Sequence, residues 1–363
     1  MINNGTMEIG TEKHPYTSKL TITMYGEKYD PAMPIYGKKS IGCRFCTLDI
    51  HGVHKKSWTD LDATIESGAT TLTLVEDVDW VIGDTIMVTS TDYDQWQAEF
   101  RTITKVETTA SDPKKSTLTV DKAFKHAHLA GVEELGTGSA NIGDKLTIRA
   151  EVALMNRNIV YRGDPATSAR NKFGAHIMIH SPGDETSIGR IENLQLYDVG
   201  QAFLLGKYPI HFHMIGRVTK SYVRNNTVRN SYNRGTTIHG VHYLRVSRNT
   251  YFNCMGHTIF VEDAAETKNL IEYNVVAGTK PSFSLLNTDQ TPGCFWITHP
   301  DNIFVGNRAA GSTDYGYWMD YQDTAIGPSF NPNIKPTKSK LGEFRNNVAH
   351  SVGAYGLRIF HGH

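Results

Sequence analysis

Val223-Arg-Asn-Asn226-Thr-Val, Val246-Ser-Arg-Asn249-Thr-Tyr and Ile271-Glu-Tyr-Asn274-Val-Val are three versions of one phrase, 23 and 25 residues apart. Looser versions extend it in both directions, at Ile191-Glu-Asn193-Leu, Val305-Gly-Asn307-Arg-Ala and Phe344-Arg-Asn-Asn347-Val-Ala, across gaps of 33, 33 and 40 residues. Seven or nine residues after most of these Asn comes a glycine (Gly200, Gly235, Gly256, Gly316, Gly356), and then another apolar strand. Short strands, a recurring Asn turn and no helical periodicity, in a unit of about 23–25 residues, describe one coil of a parallel β-helix. Asn suits such a turn because it tolerates a left-handed backbone and its amide can bond the main chain. Stacked coils would line up Asn193, Asn226, Asn249, Asn274, Asn307 and Asn347 in a ladder, each amide bonding the next. The longer gaps read as loops projecting from the coils.

The chain ahead of the repeat has another style. Residues 1–60 are short strands, such as the alternating Leu20-Thr-Ile-Thr-Met-Tyr25, punctuated by Gly5, Gly10, Gly26, Gly37, Gly42 and Gly52. Five strand-like runs follow, at 70–75, 80–84, 85–89, 100–106 and 116–120, with the spacing of a small antiparallel barrel or sandwich. The stretch 135–143 reads as a loop. The expected protein is thus all-β: a truncated glycine-rich β segment at 1–60, a small β-barrel-like domain at 61–144 and the β-helix at 145–363.

Charge and composition narrow the function. Lys plus Arg number 37 and Asp plus Glu 37 among 363 residues, so the formal net charge is zero. That excludes the overall basic field of a nucleic-acid binder and a polybasic tail for anionic lipid. Hydrophobic residues make up 39%, enough for a core and too many for a disordered chain. No apolar run approaches the ~18–20 residues that span a bilayer. Of 22 Asn and 16 His, 19 and 11 lie after residue 150, in the part that repeats. The N-terminus has neither a basic nor an apolar signal region, and the chain stops just after Leu357-Arg-Ile-Phe360, mid-strand in pattern. The expectation is a fragment of a longer polypeptide whose membrane tether lies elsewhere. Four cysteines make no disulfide framework, and Cys43-Arg-Phe-Cys46 reads as a local disulfide or packing feature over a zinc or redox site. Two sequons, Asn4-Gly-Thr6 and Asn225-Asn-Thr227, permit glycosylation of a secreted protein.

Four later segments carry a further signal: Tyr208-Pro-Ile-His-Phe-His213, Thr236-Thr-Ile-His-Gly240, Met255-Gly-His-Thr-Ile-Phe-Val-Glu-Asp263 and Phe295-Trp-Ile-Thr-His-Pro-Asp-Asn302. Ser90-Thr-Asp-Tyr93, Gln97-Ala-Glu99, Arg149-Ala-Glu-Val152, Asn158-Ile-Val160 and Gly342-Glu-Phe344 join them. Taken in order, these resemble, over nearly the whole chain, the family of fibrocystin-L, the cell-surface hyaluronidase and the cell-migration-inducing hyaluronan-binding protein. Thr6-Met-Glu-Ile-Gly-Thr-Glu-Lys-His-Pro15 is similar to the inside of that family's eight-glycine domain. The resemblance implies a right-handed parallel β-helix, an extracellular or cell-surface location and a polysaccharide or glycoprotein-glycan partner. Hyaluronan-degrading members and large receptor-like members share the motifs. Ser284-Leu-Leu-Asn-Thr-Asp289 and Lys220-Ser-Tyr-Val-Arg224 sit closest to fibrocystin-L, whereas Gly256-His257 and Ala175-His176 look more like the hyaluronan branch.

The histidines are the leading chemical candidates. His211 and His213 flank Phe212, so on a strand both imidazoles share one face. His239 falls one coil later and His257 one more, with neighbouring coils about 4.8 Å apart. With His176, they read in two ways. His211, His213, His239 and His257 hold a divalent metal ion, zinc or calcium, or the imidazoles form a stacked ladder like the Asn. Glu262 and Asp263 follow His257 and can supply an oxygen ligand or a general base, which makes His213, His239, Glu262 and Asp263 the expected catalytic set. As an enzyme the chain would be a hyaluronidase-like glycosidase, with two carboxylates about 5–9.5 Å apart, or a polysaccharide lyase. No pair stands out by spacing among Glu262, Asp263, Asp320, Asp323, Asp84, Asp92, Asp94 and Glu99, and Asp84 has the look of a turn former. Sugars stack on aromatic faces and polyanions need guanidinium groups, so Arg217, Arg234, Trp296 and Tyr317 are the expected glycan contacts. The plain alternative places those aromatics in the core. Two functions therefore stand side by side: a glycan-interacting module with a working His-rich face, and a non-catalytic receptor or adhesion ectodomain on the same fold.

Overall fold

The computed structural model of the chain describes residues 1–110, 112–134, 145–283 and 286–360. The loop expected at 135–143 and two residues of the 284–289 motif lie outside them. The fold is a three-sided, right-handed parallel β-helix in which each coil gives one strand to each of three parallel sheets. Among the described residues these sheets have nine, eight and eight strands. The nine-stranded one, here the histidine sheet, includes Ser40–Arg44, His176–His180, Ile210–Arg217, Thr236–His242, Ile259–Val261, Gly293–Ile297, Tyr315–Asp320 and Tyr355–Phe360. The second sheet includes Thr47–His51, Ile188–Glu192, Tyr222–Arg224 and Arg245–Ser247, and the third Ile159–Gly163, Leu194–Val199, Thr227–Ser231 and Thr250–Met255.

Alternation along each strand decides what is core. On the histidine sheet Ile177, Ile210, Thr236, Ile259, Phe295 and Tyr317 stack in one inward row, and Ile179, Phe212 and Ile238 in the next. The residues between them point outward. Parallel β-sheet strands buried on the inner face read as runs of Ile and Val, and the resulting core extends unbroken from Ile41 to Met319.

The ladder is real, with one correction. Asn226 Nδ2 donates to Asn249 Oδ1, Asn249 to Asn274, Asn274 to Asn307 and Asn307 to Asn347, each at 3.0 Å. Asn193 is one residue out of phase: Leu194 occupies the ladder position and donates its N–H to Asn226 Oδ1 at 2.9 Å. The left-handed backbone also falls one residue earlier than expected, on Asn193, Asn225, Arg248, Tyr273, Gly306 and Asn346. The ladder Asn therefore contributes its amide and leaves the turn to its predecessor. A shorter ladder, Asn269 to Asn302 at 3.0 Å, caps the turn between the histidine sheet and the second sheet.

The expected division of the chain changes too. Ile2–Asn3 pairs with Ser40–Arg44, Thr6–Ile9 with Thr47–His51, and Leu20–Met24 with Ile159–Gly163, so the strands of residues 1–51 continue the three parallel sheets of the helix. The small domain is an insertion between coils. Its six-stranded antiparallel sheet runs Trp58–Asp60, Glu151–Leu154, Thr85–Val88, Glu99–Thr108, Ser116–Val120, Thr71–Thr73 around its own core of Leu61, Leu74, Ile86, Leu118 and Phe124. The run 80–84 is a turn, with the Asp84 carboxylate accepting the Val81 N–H at 2.9 Å. Cys43 and Cys46 form a disulfide, and Cys254 and Cys294 are buried thiols. Asn4 is exposed, whereas Asn225 is buried and donates to Glu192, which closes the second sequon in the folded chain. Among the described residues no helix is long and apolar enough to cross a membrane.

Candidate metal centre on the histidine sheet

Two outward rows of the histidine sheet meet at the site. One runs His180, His213, His239, and Glu262 follows because Val261 pairs with Ile238. The other carries Met178, His211, Thr237, Phe260, Trp296 and Trp318. His213 Nδ1 lies 3.0 Å from His239 Nδ1, and His239 Nδ1 lies 3.3 Å from Glu262 Oε2. One nitrogen from each of His211, His213 and His239 falls within 4.8 Å of the others.

The far side of two rings is committed. His211 Nδ1 is 2.9 Å from the Gly206 carbonyl, and His239 Nε2 is 2.7 Å from Asp263 Oδ2. Those acceptors require N–H at these positions, so His211 Nε2, and His239 Nδ1 whenever that ring is neutral, carry the lone pairs. His211 Nε2 and Glu262 Oε2 are both buried without a hydrogen-bond partner. Two imidazole nitrogens at 3.0 Å need a proton or a cation between them. A carboxylate or carbonyl on the outer nitrogen is how ligating histidines are oriented.

Electrostatics favour the unprotonated ligand form at His211 and His213 and the protonated form at His239 and Glu262. Burial drives His211 well below its ordinary pKa and brings His213 down to about 3, and the neighbouring imidazoles push the same way. Both are neutral near pH 7. Burial also opposes charge on His239, but its bond to Asp263 and the nearby Glu262 carboxylate hold its pKa above the usual value. Burial raises Glu262. For Asp263 burial works upward and is outweighed by His239 and Ser329, whose N–H donates to it at 3.1 Å. Sequence reasoning missed Glu266. Its fully buried carboxyl, raised to about 7 by burial, accepts N–H groups from Gly240 (2.8 Å), Asp263 (3.2 Å) and Ala265 (3.1 Å). It thereby ties the strand of His239 to the turn of Asp263, and its place three residues after Asp263 was the available signal. A cavity of about 380 Å³ lined by Asp184, Met214, Gly240, His242 and Ser329 runs beside the cluster.

The fold brings His213, His239, Glu262 and Asp263 together and leaves other candidates out. His257 precedes its strand and turns away: its Nδ1 accepts the Gly293 N–H at 3.0 Å and its ring packs 4.3 Å from Trp296. It is not a ligand of this cluster. His176 is buried beside Ser40 and stands apart. Tyr317 points inward, its hydroxyl donating to the Asn307 and Val348 carbonyls, so it cannot contact a glycan. Trp296 faces outward yet is buried against Phe260 and Trp318. Arg234 is buried too, paired with Asp289 at 3.1 Å and lying 3.5 Å over Phe260. Of the four expected glycan contacts only Arg217, 4.8 Å over the Tyr243 ring, is exposed. Asp84 pairs with Lys55 and Glu99 with Arg101, both in structural roles within the insertion.

The CEMIP beta-helix family model matches residues 172–357, which hold every member of the cluster. The chain belongs to the CEMIP β-helix family. A G8 domain model matches residues 1–62, the first coils and the start of the insertion, so the family expected from the sequence is confirmed. This CEMIP-type chain is 38% identical to fibrocystin-L of Mus musculus over 99% of its own length and 9% of that protein. The human fibrocystin-L is 35% identical with the same coverage, and protein rliB of Dictyostelium discoideum is 29% identical over 96% of this chain and 31% of that one. The chain spans less than a tenth of the fibrocystin-L relatives. Among solved structures, the tailspike gp61 of Pseudomonas phage phi297 aligns with 89% of this chain and 65% of that chain at 11% identity and a TM-score of 0.23.

Proposed function

We propose that the chain is an extracellular or cell-surface glycan-interacting module in which His211, His213, His239 and Glu262 hold one divalent metal ion. The observation that carries this reading is the set of inward lone pairs. His239 Nδ1 lies 3.3 Å from Glu262 Oε2, His211 and His213 each bring a nitrogen within 4.8 Å of one on His239, and the outer nitrogens of His211 and His239 are fixed by Gly206 and Asp263. Three imidazoles and one carboxylate suit zinc or a similar borderline ion, whereas calcium takes six to eight oxygens. A metal bound there would supply Lewis-acid chemistry. The chain's own residues do the positioning: Asp263 orients His239, and Glu266 braces the backbone of both.

The substrate in this reading is a hyaluronan-like polysaccharide, supported by membership of the CEMIP β-helix family. Incubation with hyaluronan of defined size, with and without a chelator, tests it. The proposal expects chain shortening that chelation abolishes, and unchanged size with no binding overturns it. A second reading has a specific observation behind it. Phe260, Trp296 and Trp318 are all buried, so they offer no open sugar platform beside the cluster. Binding without shortening would move the chain to the non-catalytic ectodomain.

A further inference from the structure

A second polar cavity opens on the second sheet and shares no residue with the histidine cluster. We infer that this cavity, walled by Arg224, Arg245 and Arg248, binds the carboxylate or sulfate of an acidic saccharide.

Charge is the first argument. Arg224 is committed to Glu12 at 2.6 Å and Glu192 at 2.8 Å, and it packs 4.0 Å over Tyr222. Arg245 is held by Glu272 at 2.7 Å. Arg248 has no carboxylate partner among the described residues, and its guanidinium lies 5.0 Å over the Tyr273 ring. Three guanidinium groups thus line the cavity, two of them held by carboxylates, and Arg248 alone is left to meet a ligand's charge.

Shape and hydrogen bonding select the kind of ligand. The cavity holds about 390 Å³, room for one sugar ring, and a neighbouring one of about 510 Å³ shares His54, Asn225 and Arg248 with it. Asp77 and Asp79 line the far end, acceptors suited to hydroxyl groups and hostile to a second anion. Two buried atoms of cavity-lining residues lack partners, the donor Arg224 Nε and the acceptor Asn193 Oδ1. A bare anion could serve only the donor, whereas a hydroxyl-bearing ring can serve both.

The backbone adds a third argument. Arg248 has φ 55, at the turn position filled elsewhere by Asn193, Asn225, Tyr273, Gly306 and Asn346. Asn and Gly accept this conformation readily, and the two departures, Arg248 and Tyr273, stack on each other at the cavity's edge. The same comparison supplies a clean variant, since Arg248→Asn removes the guanidinium and keeps the turn.

Titration calorimetry on the full chain, in a His211→Ala background that disables the first site, tests the assignment. The probes are glucuronate, glucose 6-sulfate and inorganic phosphate. Both sugar acids should bind, more weakly at higher salt, and Arg248→Asn should weaken them at least about tenfold. Arg245→Gln should act in the same direction, and thermal unfolding verifies that both variants fold. Phosphate binding as tightly as either sugar acid, unchanged affinity in both variants, or no binding by the sugar acids would overturn it.

Discussion

The Asn column and the His row are built on the same plan, like side chains stacked coil upon coil, and they end in opposite states. In the column every amide is used. Asn249 accepts from the Asn226 N–H and Nδ2 and donates to the Val223 carbonyl and to Asn274. In the His row Glu262 Oε2 is buried and unbonded, as is His211 Nε2 in the row beside it, and the imidazoles of His213 and His239 face each other nitrogen to nitrogen. Burying a polar group without a partner costs about 1–3 kcal/mol, so folding alone does not favour such an arrangement. The Asn column is thus closed by its own hydrogen bonds, and the histidine rows keep donor atoms free of them.

Breaking the column should have the largest effect. Asn249→Ala removes four buried hydrogen bonds and should cost about 3–5 kcal/mol in chemical denaturation, with metal binding intact in the chain that still folds. A loss under about 1 kcal/mol would strip the ladder of its structural role. A second unsatisfied group extends the contrast to the insertion. Asp60 Oδ1 is buried and unbonded, and burial, followed by the Glu151 charge, raises its pKa to about 6. A carboxyl raised above its unfolded value contributes stability below about pH 4 that is lost as pH climbs through 6. Asp60→Asn should therefore stabilise the chain by about 2 kcal/mol at pH 8 and leave it unchanged at pH 4; an equal effect at both would contradict this. In the row, Asp263→Asn should weaken metal binding about 10–100-fold without unfolding the chain, read by competition with a chelating dye. The smallest effect is the most discriminating. His211→Ala in the presence of chelator should shift stability by less than about 1 kcal/mol, whereas an imidazole ladder predicts a loss comparable to Asn249→Ala.

The repeat made the coils legible because a ladder demands the same residue at the same place, and five of the six Asn obey. Asn193 escaped because Asn is equally at home in the left-handed position one residue earlier. Residues 1–51 were hidden as coils because an insertion of about a hundred residues separates them from the repeat, and no local signal records which strand they pair with. His211, His213 and His239 were readable from alternation and coil spacing. His257 was not, since it lies in the turn before its strand, where period two no longer says which way a side chain points. Tyr317 was misjudged for a related reason: its aromatic character suggested a sugar platform, while its pairing with Phe295 turns it into the core. Glu266 depends on a turn folding back, which spacing alone does not reveal.

The central claim is that the unsatisfied row is a metal site, and elemental analysis of the purified chain after equilibration with zinc tests it most directly. The account predicts about one zinc per chain, lost in the His211→Ala, His213→Ala double variant while its far-ultraviolet circular dichroism stays that of the wild type. A wild-type chain that takes up no metal, or a double variant that keeps full occupancy, would contradict it.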